Sequence, residues 1–152
     1  MKLLVFHIGD DRYGLRLGVV RRVLPLMELK GLPLAPPAVA GLMNLHGESV
    51  PVIDLSRISG EAASRPHFDT RIVLVDYKAP DGTVHALGLV AERVFGVQEV
   101  DSGAMAESGV QAAPFLGPVA GDAGGMVQLV EVERLLPESL RALLFQREAE
   151  AP

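Results

Sequence analysis

Residues 41–55, GLMNLHGESVPVIDL, restrict the fold more than any other stretch of the chain. Two short apolar runs flank a tight polar turn, and Pro51 stands inside the second run. Alternation with period two predicts strands, and Gly47 supplies a turn residue that tolerates positive φ. Proline cannot donate to a ladder, so the strand holding Pro51 must lie at a sheet edge, a bulge or a barrel rim. No catalytic constellation occurs in this stretch, and it reads as part of a binding scaffold.

Strand patterns extend over most of the chain. Leu4, Phe6 and Ile8 alternate before a turn at 9–12, and Tyr13, Leu15 and Leu17 alternate after it. Val20, Val23 and Leu24 lead into Pro25, and a rigid loop with three prolines follows at 31–37, with a helical turn expected at 38–40. Strands are expected at 41–45 and 49–54, then a short turn at 55–58 and a polar connector, SGEAASRPHFDT, at 59–70. Residues 72–75 form an unbroken apolar run, as in a strand buried on both faces. Pro80, Asp81 and Gly82 carry a type I turn signature. Two further strands are expected at 84–90 and 93–100, a small-residue loop at 101–114, and a last hairpin of 115–120 and 126–132 about Gly124 and Gly125. A helix over 137–148 closes the pattern: Pro137 suits a first helical position, Leu140, Leu143 and Leu144 mark an apolar face, and Arg147 complements the dipole. Beyond Glu148 the tail should fray.

The two halves, 1–60 and 71–136, echo each other. Strand, turn and strand at 6–17 recur at 75–90, and 41–58 recurs at 117–136. The expected fold is mainly β: two small barrels of about five strands each, in pseudo-duplicate, with a short C-terminal helix.

The chemistry of the sequence is sparse. At 152 residues the chain is long enough for a core without staples. A net charge of −5 and only three lysines argue against nucleic acid or an anionic membrane as partner. The chain has no cysteine, hence no disulfide and no thiolate chemistry. MKLLVF is interrupted by His7, Asp10 and Asp11, too early for a signal segment, and no apolar run reaches the roughly 18 residues of a membrane span. A cytoplasmic protein without direct membrane insertion is expected. His7, His46, His67 and His85 lack the spacing of metal ligands, and no nucleophile elbow or phosphate-binding lysine loop occurs. GDAGG at 121–125 lies between strands and does not open a helix, so it reads as a hairpin turn. No enzyme activity, metal or cofactor is expected. Apolar residues crowd the proline loop (Leu34, Pro36, Pro37, Val39 and Met43), more than two small barrels can enclose, and such patches dock partners.

At residues 41–55 the chain resembles the CheW-like coupling proteins of chemosensory arrays, whose signature reads approximately G-x-x-N-x-R-G-x-x-x-P-V-x-D-L. Gly41, Asn44, Gly47, Pro51, Val52, Asp54 and Leu55 match it, and FHIGDDRYGLRLGVVRRVLPL and LVEVERLL extend the likeness over nearly the whole chain. The resemblance implies two SH3-like five-stranded barrels around a shared apolar core. It implies an adaptor that links the cytoplasmic tip of a methyl-accepting chemoreceptor, lying in the groove between the barrels, to the regulatory domain of a CheA-type histidine kinase. The alternative is a module that binds only that kinase domain; a small-molecule-binding barrel or weak hydrolase would need a polar pocket of convergent titratable groups.

Two positions depart from the family. His46 replaces the arginine of the signature turn, and Arg22, within Val20-Arg21-Arg22-Val23, replaces a glutamate. Reversing a rim charge alters partner choice more than fold. His46 and the segment DTRIVLVDY are similar to the Wsp-type branch, an alternative chemosensory system. Val20, Arg22, Val23, Asn44, His46 and Glu48 are expected to line the receptor-side groove.

Overall fold

A computed structural model describes residues 1–110, 112–122 and 125–145. The described residues form nine strands: β1 (Lys2–Ile8), β2 (Asp11–Arg16), β3 (Val20–Pro25), β4 (Val39–Leu45), β5 (Glu48–Asp54), β6 (Arg71–Lys78), β7 (Val84–Glu99), β8 (Leu116–Asp122) and β9 (Gly125–Val130). A one-turn helix, α1 (Leu55–Ile58), follows β5, and α2 (Glu138–Leu144) follows β9. The fold is mainly β, as the alternation predicts.

The strands divide into two five-stranded barrels that share β7. Barrel one runs β7-β1-β2-β9-β8, and barrel two runs β3-β6-β7-β5-β4. Residues 84–91 of β7 pair with β6 in barrel two, while β1 pairs with the far end of the same strand, from Glu92 on. The expected pair of strands at 84–90 and 93–100 is therefore one continuous strand. Its midpoint is marked by Arg93, held at φ 49°, where the pairing changes barrel.

Barrel membership does not follow the halves 1–60 and 71–136. β1 and β2 from the first half pair with β7 and β9 from the second, and β6 from the second half pairs with β3 from the first. The repeat is real but exchanged. β2 lies parallel to β9 as β7 lies parallel to β5, and each barrel is closed by a lone two-way bridge, Lys30 to Leu42 and Ala106 to Val119. Asp54 N donates to Ala38 O at 2.9 Å, and Glu131 N donates to Phe115 O at 2.7 Å, at matching points of the two barrels. Gly14 and Gly88 also match: an added Cβ would come within 2.9 Å of Leu3 in one barrel and 3.0 Å of Val52 in the other. A side chain at either position would have to push these neighbours aside.

Strand faces explain the apolar runs. In β6, Ile72 and Leu74 point into barrel two, whereas Val73, Val75 and Tyr77 enter a core shared by both barrels. In β1, Leu3 and Val5 point into barrel one, whereas Leu4, Phe6 and Ile8 enter the shared core. Burying one such side chain contributes about 1.5–3 kcal/mol. The shared core takes Leu4, Phe6, Ile8 and Leu15 from one barrel and Ile53, Val73, Val75 and Leu89 from the other. Separating the barrels would expose all of these side chains at once, so the barrels form one unit.

The turns follow their sequences. His46 (φ 53°) and Gly47 (φ 86°) form a two-residue hairpin loop of the mirror-image type, with positive φ at both positions. Gly82 N donates to Ala79 O at 2.9 Å, and Gly82 then turns left-handed at φ 89°. The ladder from β5 to β7 begins at Val52, so Pro51 interrupts none of it. Three local expectations shift. The turn near 38–40 falls one step earlier, closed by Val39 N to Pro36 O, and β4 begins at Val39. α2 starts at Glu138 with Pro137 as its N-cap, and Leu143 faces outward while Leu140 is buried. The far end of the expected helix, with Arg147, the tail beyond it and the turn residue Gly124 lie outside the described residues.

Candidate partner-binding surfaces

The six expected groove residues fall on two elements. Val20, Arg22 and Val23 lie on β3, and Asn44, His46 and Glu48 lie at the tip of the β4–β5 hairpin. These are opposite edges of the barrel-two sheet, brought round by the Lys30–Leu42 bridge. Val20 is half-buried against the shared core. Arg22 stands across from Leu74, exposed and without a hydrogen bond or ion pair among the described residues. Its neighbour Arg21, the bulged residue of β3, pairs with Asp76 instead. Asn44 Oδ1 accepts from Gly47 N at 2.9 Å, so this side chain builds the turn. His46 is exposed and takes the left-handed conformation, which histidine adopts more readily than most residues. No hydrogen bond or ion pair joins the β3 residues to the hairpin residues among those described.

Val23 and Glu48 open onto different depressions. Val23, 40% exposed, lines an apolar one of about 420 Å³ with Pro25, Leu26, Phe68 and Arg71. Glu48 lines another of about 540 Å³ with Arg21, Pro51, His85 and Phe145. The His85 and Phe145 rings stack there, 4.2 Å apart, and Phe145 also stacks on Tyr77. A third depression, about 460 Å³ and mainly polar, lies between the β1–β2 turn, the connector and the β7 midpoint.

The connector is the feature that sequence reasoning missed. It carries no regular structure, yet it is pinned along its length. The buried Asp54 carboxylate accepts from Ser56 N (3.0 Å), Ser64 N (2.9 Å) and Ser64 Oγ (2.6 Å), capping α1 and tying the connector back to β5. Arg65 N donates to Glu92, Thr70 Oγ1 donates to Arg65 O at 2.6 Å, and Val94 N donates to Asp69 O at 3.0 Å. Phe68 is presented from this frame 89% exposed, on the ridge between the apolar and polar depressions. An aromatic residue within a polar run, RPHFDT, was the available signal.

Burial pushes the Tyr13 hydroxyl above its ordinary pKa, helped by Asp11 and Glu61. Burial also raises Tyr77, with Arg141 acting the other way. Both phenols therefore stay neutral near pH 7. Among the described residues no three His, Asp or Glu side chains gather closely enough to hold a metal ion, and no helix is long and apolar enough to cross a membrane.

The strand order defines a two-barrel β fold. The CheW-like domain matches residues 2–140. The chain is 25% identical over 149 residues to the chemotaxis protein CheW of Rhizobium meliloti, covering 92% of this chain and 90% of that one. It is 30% identical over 95 residues to protein FrzA of Myxococcus xanthus, covering 62% and 56%. The crystal structure of the scaffolding protein TtCheW from Thermoanaerobacter tengcongensis superposes with a TM-score of 0.77 at 24% identity, over 90% of this chain and 87% of that one. The chain belongs to the CheW-like family, the scaffolds of chemotaxis signalling.

Proposed function

We propose that this chain is a non-enzymatic cytoplasmic adaptor that couples the cytoplasmic tip of a methyl-accepting chemoreceptor to the regulatory domain of a histidine kinase. The observation that carries this reading is the single rigid body made by the exchanged barrels, which holds several exposed surfaces at fixed separation. A scaffold needs that property, because two partners are coupled only if neither docking face moves freely relative to the other. The receptor-side face is assigned to β3 and the β4–β5 tip, with Val20, Arg22, Val23, Asn44, His46 and Glu48. Contacts of about 1,000–1,600 Å² in total suit reversible assembly of this kind.

Arg22 and His46 set receptor choice in this reading. A cation on β3 favours a receptor that offers a carboxylate there and penalises one that offers a cation. The test is a pull-down with conventional and cognate receptor fragments. Changing Arg22→Glu and His46→Arg together should raise affinity for the conventional receptor and lower it for the cognate one. Affinities unmoved by the double change would refute the assignment.

A further inference from the structure

Past the barrel switch, β7 has a partner on one side only. β1 pairs with it from Glu92 to Glu99, and among the described residues no strand lies on its other flank, where pairing with β6 and β5 has already ended at Ala91 and Val90. Val100 exchanges both backbone bonds with Met1, at 2.7 and 2.8 Å. Backbone groups alternate sides along a strand, so Gln98 and Gly96 also face β1, while Glu99 and Val97 direct their N–H and C=O groups to the open flank. Val94 is tied to the connector, which covers the flank only up to that point. The side chains beyond it are apolar and exposed: Phe95 at 70% and Val97 at 53%. Phe95 rests edge-on against His7. Neither lysine nor proline guards this stretch, although edge strands ordinarily carry such devices.

We propose that this flank is a self-association site, at which two copies of the chain pair antiparallel about Gly96 and join their barrel-one sheets. The order Arg93, Phe95, Gly96, Val97, Glu99 is complementary to its own reverse. Centred on Gly96, Phe95 of each copy faces Val97 of the other, and Arg93 of each faces Glu99 of the other. Sliding the centre to Val97 sets Phe95 against Glu99, and sliding it to Phe95 sets Arg93 against Val97. Arg93, on the rim of the polar depression, makes no ion pair or hydrogen bond among the described residues, and Glu99 is exposed, across from Lys2 on β1 and 3.6 Å from the chain's amino terminus. Glycine at the centre adds no side chain where the two backbones meet, and the space around it is open. Such a contact is isologous and closes as a dimer, leaving β3 and the β4–β5 tip uncovered.

The chain has no cysteine, which makes the register directly testable. Phe95→Cys and Val97→Cys are prepared as separate variants, both at exposed positions, and oxidised alone and mixed. Mixing should give a disulfide-linked dimer several-fold above either variant alone, since residue 95 then faces residue 97 at a separation a disulfide spans. In sedimentation equilibrium, Arg93→Glu or Glu99→Arg alone should weaken association about ten-fold, and the double reversal should restore it. No excess of mixed dimer overturns the proposal. So does wild-type protein that stays monomeric up to about 0.3 mM, or an edge that is protected only when a kinase domain is added.

Discussion

Barrel one and barrel two share a strand plan but differ at corresponding points. In barrel two the closing bridge follows Gly41, at φ 147°, where an added Cβ would lie 2.5 Å from Lys30 O. In barrel one Pro118 precedes the equivalent bridge at Val119. At the end of β5, Asp54 caps α1 and grips the connector, whereas Glu131, just past β9, makes no cap and reaches out to Arg16 at 3.1 Å. Barrel two is thus fastened to the loop that presents Phe68, while both barrels keep one open flank, at β3 and at the far end of β7. One duplicated plan has left each barrel an open strand flank, and it has given barrel two a positioned wall beside its own.

Cutting the chain tests the sameness most severely. Because each barrel draws strands from both halves, residues 1–60 and 71–145 expressed separately should each lack cooperative unfolding, and mixing them should restore it. Circular dichroism melts decide this, and an independently folding half would contradict the exchange. The seam comes next. Gly41→Ala should cost about 2–4 kcal/mol through backbone strain and loss of the bridge, while Pro118→Ala should cost under about 1 kcal/mol; urea midpoints at constant slope report both. The caps follow. Asp54→Ala should cost about 2–3 kcal/mol, since it removes a cap and the bonds to Ser64. Glu131→Ala should cost at most about 1 kcal/mol, for an ion pair open to solvent. Proteolysis should also become fast within 59–70 for the Asp54 variant alone.

The smallest effect belongs to the shared core. The Tyr77 hydroxyl is buried beside Arg141 without a well-formed hydrogen bond, so Tyr77→Phe should change stability by under about 0.5 kcal/mol near pH 7. Its proton is held more tightly folded than unfolded. The stability this lends is complete below the ordinary value of 10.0 and fades as pH rises through the raised folded value. Alkaline melts of Tyr77→Phe should fall less steeply than those of the wild type.

Much of this was legible where the information is local. The run at 72–75 announced a strand buried on both faces, and His46-Gly47 between apolar runs announced a tight hairpin. The two-barrel class followed from the repeat. The exchange of strands between halves did not, because periodicity records which face of a strand is buried and not which strand lies beside it. Arg93 looked like a break between two strands for the same local reason. The Asp54–Ser64 clamp joins residues separated by a helical turn and a polar loop, and composition made that loop look unstructured.

The central claim is that this molecule holds two partners at once on separate faces. A saturated complex of the full chain with a cognate receptor fragment, titrated with the kinase regulatory domain, tests it by light scattering after size exclusion. The account predicts a ternary species whose mass is the sum of all three. Release of the receptor fragment as the kinase domain binds would contradict it.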